Sequence, residues 1–236
     1  KCNRYYLQPG EADRISSHYA SLPRHPDGTL LAVHGGGPLR INQQGRTEIS
    51  DSNLLQLYKP VFDSSGRIWG FTKSGQLLSC LLQSEKRVHF RQTLLPPALQ
   101  HTAGIRYRCT VKNGFLWCWP EQTSGMIVRF NLRSKLRDSL QLQVPAPVNE
   151  LYVAENGAAW ICTMKGLYLL QPGQRFPVLL NPGEHPQNGL PAGNILCAYE
   201  DSHQNLWVGS ASAGIAYYHP RFSHIRLLQT EPVSAV

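Results

Sequence analysis

Gly209-Ser210-Ala211-Ser212-Ala213-Gly214 comes nearer than the rest of this 236-residue chain to a catalytic nucleophile motif. A nucleophile elbow centres its serine in Gly-x-Ser-x-Gly on a sharp strand-to-helix turn, where the hydroxyl is exposed. Here the spacing differs and apolar runs lie on both sides, so the segment predicts a flexible turn between two strands. The nine histidines, His18, His25, His34, His89, His101, His185, His203, His219 and His224, are scattered, and none forms a His-Glu-x-x-His pair. Asp63 and Asp201 each begin a polar turn, where a carboxylate accepts from the backbone two residues on. That is turn chemistry, not a general acid–base pair. No P-loop or dinucleotide fingerprint is present. The six cysteines show neither Cys-x-x-Cys nor a zinc-type His/Cys spacing. Cys80, Cys162 and Cys197 fall inside predicted strands as small buried apolar groups. Cys109 and Cys118 lie on neighbouring predicted strands and their pairing stays open, while Cys2 sits near the terminus. These readings predict no catalytic residue, no metal and no cofactor.

The elements that position these side chains follow from one repeated phrase. Asp63-Ser64-Ser65-Gly66-Arg67-Ile68-Trp69, Lys112-Asn113-Gly114-Phe115-Leu116-Trp117, Glu155-Asn156-Gly157-Ala158-Ala159-Trp160 and Asp201-Ser202-His203-Gln204-Asn205-Leu206-Trp207 share a turn followed by tryptophan. Pro26-Asp27-Gly28-Thr29-Leu30-Leu31 is a fifth copy with leucine in the aromatic place. Steps from Leu31 through the tryptophans are 38, 48, 43 and 47 residues, a period that means a stacked or radial array. A short apolar run precedes each turn, and a second small-residue break follows each tryptophan strand. A third strand and a more polar fourth, such as Val88-His89-Phe90-Arg91 or Arg175 to Leu180, complete the unit. Four short strands per unit without amphipathic helices predict an all-β propeller of four-stranded antiparallel blades. We read one propeller over 1–236, with the end of a partial blade at 1–21 and blades at 22–50, 51–100, 101–145, 146–190 and 191–236.

The ends carry further repeats. Arg4-Tyr5-Tyr6-Leu7-Gln8-Pro9-Gly10 nearly copies Leu167-Tyr168-Leu169-Leu170-Gln171-Pro172-Gly173, a third strand and its turn. Glu231-Pro232-Val233-Ser234-Ala235-Val236 reads as the approach to a new first strand. Ring closure between the two ends is one reading. A segment of a longer array is the preferred one, since no tryptophan strand follows Val236.

Composition bounds the function. Charged residues make up 16%, while 20 glycines and 17 prolines supply turns. No apolar run approaches 18 residues, so nothing predicts a membrane helix. The net charge of +8 is dispersed, with a loose group at Arg129, Arg133, Lys135 and Arg137, which argues against a phosphate track for nucleic acid. Acidic sugars suit that charge.

Asn188-Gly189-Leu190-Pro191-Ala192-Gly193-Asn194-Ile195, then Tyr199-Glu200-Asp201 through Trp207-Val208-Gly209-Ser210, then Gly214-Ile215-Ala216-Tyr217-Tyr218, closely resembles the two-component regulator propeller repeat. That pattern runs Gly-Leu-Pro, Glu-Asp, Gly-Asn-Leu-Trp-Ile-Gly-Thr and Gly-Leu-x-x-Tyr; Gln204 stands where the family has glycine. The resemblance implies a periplasmic sensor region of a bacterial hybrid two-component histidine kinase, of the kind found in Bacteroidetes, where propellers detect oligosaccharides. It implies further blades and downstream signalling domains as partners, no enzymatic activity in this chain, and no membrane contact by this segment. Homodimerisation stays open.

In a propeller the loops between second and third strands share one end with the loops before each first strand. That predicts a rim of His34, Lys73, Trp119, Glu121, Lys165, Arg106 and His185, with Trp119, Glu121 and Lys165 as the ligand set. Trp119 lies outside the repeated phrase and offers an aromatic platform for a sugar ring. Trp69, Trp117, Trp160 and Trp207 share one repeat position and are expected to wedge between blades. Two other readings stay open: a protein-interaction scaffold, and a metal-dependent lyase-type propeller enzyme.

Overall fold

Runs of leucine, β-branched and aromatic residues, punctuated by turns whose third or fourth residue is glycine, fold into nineteen strands in a computed structural model. The structure describes residues 26, 28, 30–34, 37–42, 45–48, 57–81, 90–93, 105–121, 123–134, 139–180, 193–218 and 225–228, and among them there is no helix. The partial blade expected at 1–21, Cys2, Val88, His89 and the segment after Leu228 lie outside these residues.

The chain divides into two compact units, Lys1–Gly114 and Phe115–Val236. In the first, β1 (Leu30–His34), β2 (Gly37–Asn42) and β3 (Gly45–Glu48) form one antiparallel sheet, and β4 (Leu57–Phe62), β5 (Arg67–Thr72), β6 (Leu77–Leu81) and β7 (Arg91–Thr93) form a second. β8 (Tyr107–Lys112) packs on β4 and β5. The second unit holds β9 (Phe115–Pro120), β10 (Met126–Asn131) and β11 (Ser139–Gln143) in one sheet. It continues with β12 (Val148–Val153), β13 (Ala159–Thr163), β14 (Gly166–Leu170) and β15 (Val178–Leu180), then β16 (Ile195–Glu200), β17 (Leu206–Ser210), β18 (Ile215–Tyr218) and β19 (Ile225–Leu228). The fold class is the predicted one: all-β, with antiparallel blades whose strands pair in chain order, four-stranded except for the three described strands β1–β3.

Strand alternation places the core between blades. In the second unit Trp117, Trp119, Ile127 and Leu142 project from one face of the β9–β11 sheet and pack with Val148, Leu151, Val153, Ala159, Ile161, Tyr168 and Leu170 of the next. The opposite face of that next sheet, carrying Cys162, Leu167, Tyr152, Trp160 and Leu180, packs with Ile195, Ala198, Leu206, Val208 and Ala216. Trp117 and Trp160 thus stand at sheet–sheet contacts. Trp207 is half-buried and meets Tyr217 of its own sheet edge to face, with ring centroids 4.7 Å apart. Trp69 is buried, and its carbonyl accepts from the Cys109 thiol at 3.9 Å.

The repeated turn has a second function that its backbone role conceals. Asp63 Oδ1 accepts from Ser65 N at 2.8 Å and Arg67 N at 3.0 Å, while its Oδ2 accepts from Trp69 Nε1 at 2.9 Å. Asp201 repeats the arrangement with His203 N at 2.9 Å, Asn205 N at 3.0 Å and Trp207 Nε1 at 3.0 Å. One carboxylate therefore closes the turn and orients the repeat tryptophan. Ala154 occupies the same place in the β12–β13 turn, its N–H bonded to Ala158 O at 2.8 Å, and Trp160 Nε1 finds no partner among the described residues. The third residue after each of these positions needs a left-handed backbone, supplied by Gly66 (φ 77°), Gly157 (φ 87°) and, against its steric preference, Gln204 (φ 65°).

These bonds favour the charged aspartates. At Asp201 the Trp207 indole holds the carboxyl well below its ordinary range; burial opposes this, and Asn205 and His203 reinforce it. At Asp63 burial opposes ionisation, but the side chains of Ser65 and Trp69 and the N–H groups of Arg67 and Ser65 outweigh it. A depressed folded-state pKa contributes stability above the unfolded value of about 3.9 and loses it as pH falls. Asp201→Asn is therefore expected to melt below the wild type at pH 7, with the gap closing as pH drops through the carboxylate range. Thermal melts at pH 7 and pH 3 check this; a gap independent of pH contradicts it.

The cysteines answer one open question and correct one expectation. Cys109 and Cys118 are thiols, not a disulfide, and burial pushes the Cys109 thiol up to about 12 against the opposing Arg108 charge. Cys80 and Cys162 are buried as expected, but Cys197 is exposed. A bulge between Ile195 and Cys197 shifts the register, so Ile195 and Ala198 face inward and Cys197 faces outward.

Candidate functional site

Backbone hydrogen bonds tie the loops at one end of the second unit together. Val144 N donates to Gly125 O at 2.9 Å and Val148 N to Ser124 O at 3.2 Å, joining the β9–β10 turn to the segment before β12. Met164 N donates to Pro147 O at 3.1 Å and Ala211 N to Asn194 O at 2.9 Å, so second-to-third-strand turns meet first-strand approaches twice more. The buried Asn149 extends the chain of bonds: its Nδ2 donates to Asn194 Oδ1 and Ile195 O, both at 2.7 Å. Glu121, half-buried, and Lys165, exposed, stand on successive turns of this end.

Trp119 does not join them. Its ring is 0% exposed and packs in the core with Trp117 and Ile127. β9 runs through Pro120, so Trp119 is a strand residue two places after Trp117 and shares its inward face. The expected aromatic platform is a core residue, and the ligand set loses its ring.

The corresponding end of the first unit supplies another. Leu57 pairs with Thr72 and Tyr58 with Phe71, placing the start of β4 beside the Lys73–Gly75 turn. Thr72 Oγ1 shares a 2.8 Å hydrogen bond with Ser74 and accepts from Gln76 N at 3.1 Å, which fixes that turn and leaves Lys73 exposed. Tyr107 packs against Phe71, with centroids 5.3 Å apart, and so brings Arg106 to the same end. Arg106 places its guanidinium 5.5 Å from the Tyr58 ring centroid, and Lys59 places its ammonium 5.3 Å from it.

Lys59 reaches this position through a strained backbone. It has φ 42° although it precedes Pro60, and a residue before proline is normally driven to extended geometry. Such an outlier costs on the order of 1–3 kcal/mol and persists only where its surroundings enforce it. The register shift between Tyr58 and Val61 absorbs it. Two cations thus converge on one half-buried tyrosine at the loop end of the blade, a geometry suited to an anionic group with an apolar neighbour.

Of the predicted rim residues, Lys73 and Arg106 lie at this end of the first unit, and Glu121 and Lys165 at the loop end of the second. His34 closes β1, paired with Gly37. His185 lies outside the described residues. Sequence reasoning missed Tyr58 and Lys59; the one available signal was Tyr-Lys-Pro inside a predicted strand, which announces a bulge. Among the described residues no group of three His, Cys, Asp or Glu side chains is placed to hold a metal ion, and no helix is long and apolar enough to cross a membrane.

Residues 189–212 match the two component regulator propeller family. Comparison with curated proteins gives no sequence match. Among solved structures, the extracellular domain of BT4673 from B. thetaiotaomicron, described as a one component system, aligns with a TM-score of 0.64 at 13% identity, covering 91% of this chain and 29% of that one. PorZ, a surface component of the type-IX secretion system of Porphyromonas gingivalis, aligns with a TM-score of 0.61 at 15% identity, covering 88% and 33%. A protein described as a gluconolactonase aligns with a TM-score of 0.59 at 9% identity, covering 92% and 81%. At these identities the likeness is one of fold. This chain spans less than a third of the BT4673 domain.

Proposed function

We propose that this chain is the extracytoplasmic ligand-sensing propeller region of a two-component sensor, that its ligand is an acidic oligosaccharide, and that a kinase module elsewhere in the parent protein carries the signal. The observation that carries the sensor reading is the two component regulator propeller repeat at 189–212. The fold shared with the extracellular BT4673 domain supports it.

The ligand class follows from the loop end of the first unit. Arg106 and Lys59 supply fixed positive charge beside Tyr58, and Lys73 stands exposed on the neighbouring turn. A sugar carboxylate or sulfate takes charge-assisted hydrogen bonds from the two cations. Tyr58 holds both in place and offers its edge to the sugar ring. No step in this reading breaks a covalent bond: the ligand acts by binding.

Calorimetric titration with acidic and neutral oligosaccharides of equal length is the test. The acidic set is expected to bind, and Arg106→Ala to weaken it roughly tenfold, the scale of one charge-assisted hydrogen bond. Affinity that is equal for neutral sugars and unaffected by Arg106→Ala overturns the ligand assignment. A wild type that binds no saccharide at all overturns the sensor reading in this form.

A further inference from the structure

The repeat tryptophans share one register position, and a different residue faces each from the neighbouring strand. Ser79 pairs with Trp69, Arg129 with Trp117, Leu169 with Trp160 and Tyr217 with Trp207. Asp63 and Asp201 stand six residues before their tryptophans, whose indole N–H groups donate to them at 2.9 and 3.0 Å. In both of those sheets the facing residue is uncharged. Val111 stands six residues before Trp117, and the Asn113-Gly114 turn brings no acid. There the facing residue is a cation. One sheet therefore has no carboxylate of its own at the indole and an arginine opposite it.

Both members of that pair carry an unmatched donor. Trp117 is 2% exposed and its Nε1 has no hydrogen-bond partner among the described residues; the buried Nε of Arg129 has none either. The Arg129 guanidinium carbon lies 4.7 Å from the Phe115 ring centroid and 5.1 Å from that of Trp117, so two aromatic rings hold it in place. Burial lowers its pKa from the ordinary value. Buried donors with nothing to accept from them are costly, and more so when one is charged. An anion satisfies both. Phe115 and Leu140 flank the place and are half-buried, as Arg129 is, so it is open to a small solute with an apolar body. We propose that Trp117 and Arg129 form a site for a small organic carboxylate, whose oxygens accept from Trp117 Nε1 and the Arg129 guanidinium as Asp63 and Asp201 accept from their own tryptophans. The site shares no residue with the loop end of the first unit.

Proton–nitrogen NMR of the indole N–H groups reads the site, because each tryptophan gives one resonance. Trp117→Phe and Trp160→Phe each remove one signal and so assign it. On titration with benzoate in a carboxylate-free buffer, the Trp117 signal is expected to move saturably, and the neutral isostere benzamide is expected to leave it in place. Trp160 is the internal control. Its Nε1 also has no partner among the described residues, but Leu169 faces it, so its signal is expected to stay. Arg129→Met keeps an apolar stem beside Phe115 and removes the charge; it is expected to weaken benzoate binding about tenfold, the scale of one charge-assisted hydrogen bond. Should that variant fail to fold, benzoate against benzamide in the wild type decides. A Trp117 signal that benzoate does not move, that benzamide moves equally, or that responds with undiminished affinity in Arg129→Met overturns the proposal. An equal shift at Trp160 overturns it too.

Discussion

Trp119→Ala lowers the stability of this protein by about 3–5 kcal/mol, the cost of emptying a well-packed aromatic site. The ring is 0% exposed and shares a cluster with Trp117, Ile127 and Leu142 on its own sheet and with Val148, Leu151 and Ile161 on the next. Removing it takes away burial and leaves a cavity between two blades, where rigid strands on both sides limit collapse. Urea unfolding followed by tryptophan fluorescence and circular dichroism measures the loss. Folded Trp119→Ala protein is expected to retain wild-type affinity for its ligand. A stability loss under about 1 kcal/mol with abolished binding contradicts this account, since surface substitutions without buried contacts stay near that range.

Gly125→Ala is expected to cost about 3 kcal/mol, the upper part of the range for forcing atoms into a packed site. A methyl group at Gly125 falls on the carbonyl oxygen of Val144 and lies 2.7 Å from that of Ala146. Both obstacles are backbone, so no side chain can rotate away. The chain can admit the methyl only by separating the β9–β10 turn from the segment before β12. That breaks the bond from Val144 N to Gly125 O and strains the one from Val148 N to Ser124 O. Hydrogen exchange of the Val144 and Val148 amides reads the damage directly, and faster exchange at both is the expected result. Wild-type exchange with an unchanged melting temperature contradicts it.

The repeat carried most of the architecture in plain sight. Asn-Gly and Ser-Gly turns, the tryptophan after each and the second glycine break require strands of these lengths in this order, and the β-strands follow them. The turn role of Asp63 and Asp201 was equally legible, because a carboxylate at the head of such a turn has backbone donors within reach. Its bond to the tryptophan six residues on was not, since it depends on how the two strands twist. Trp119 lies outside the repeated phrase, which conceals its place in the core, although period-two alternation in Trp117-Cys118-Trp119 puts both rings on one face. Cys197 and Tyr58 escaped for one shared reason. Each sits beside a bulge, and a register shift of one residue exchanges the inward and outward faces of a strand.

The central claim is that the loop end built by Tyr58, Lys59 and Arg106 receives an acidic oligosaccharide. Hydrogen exchange of the intact chain with and without that ligand tests it most directly. The account predicts added protection in Leu57–Lys59, in 72–76 and around Arg106 and Tyr107. Protection confined to the opposite-end turns at Asp63–Arg67 and Asp201–Asn205, or none at saturating ligand, contradicts it.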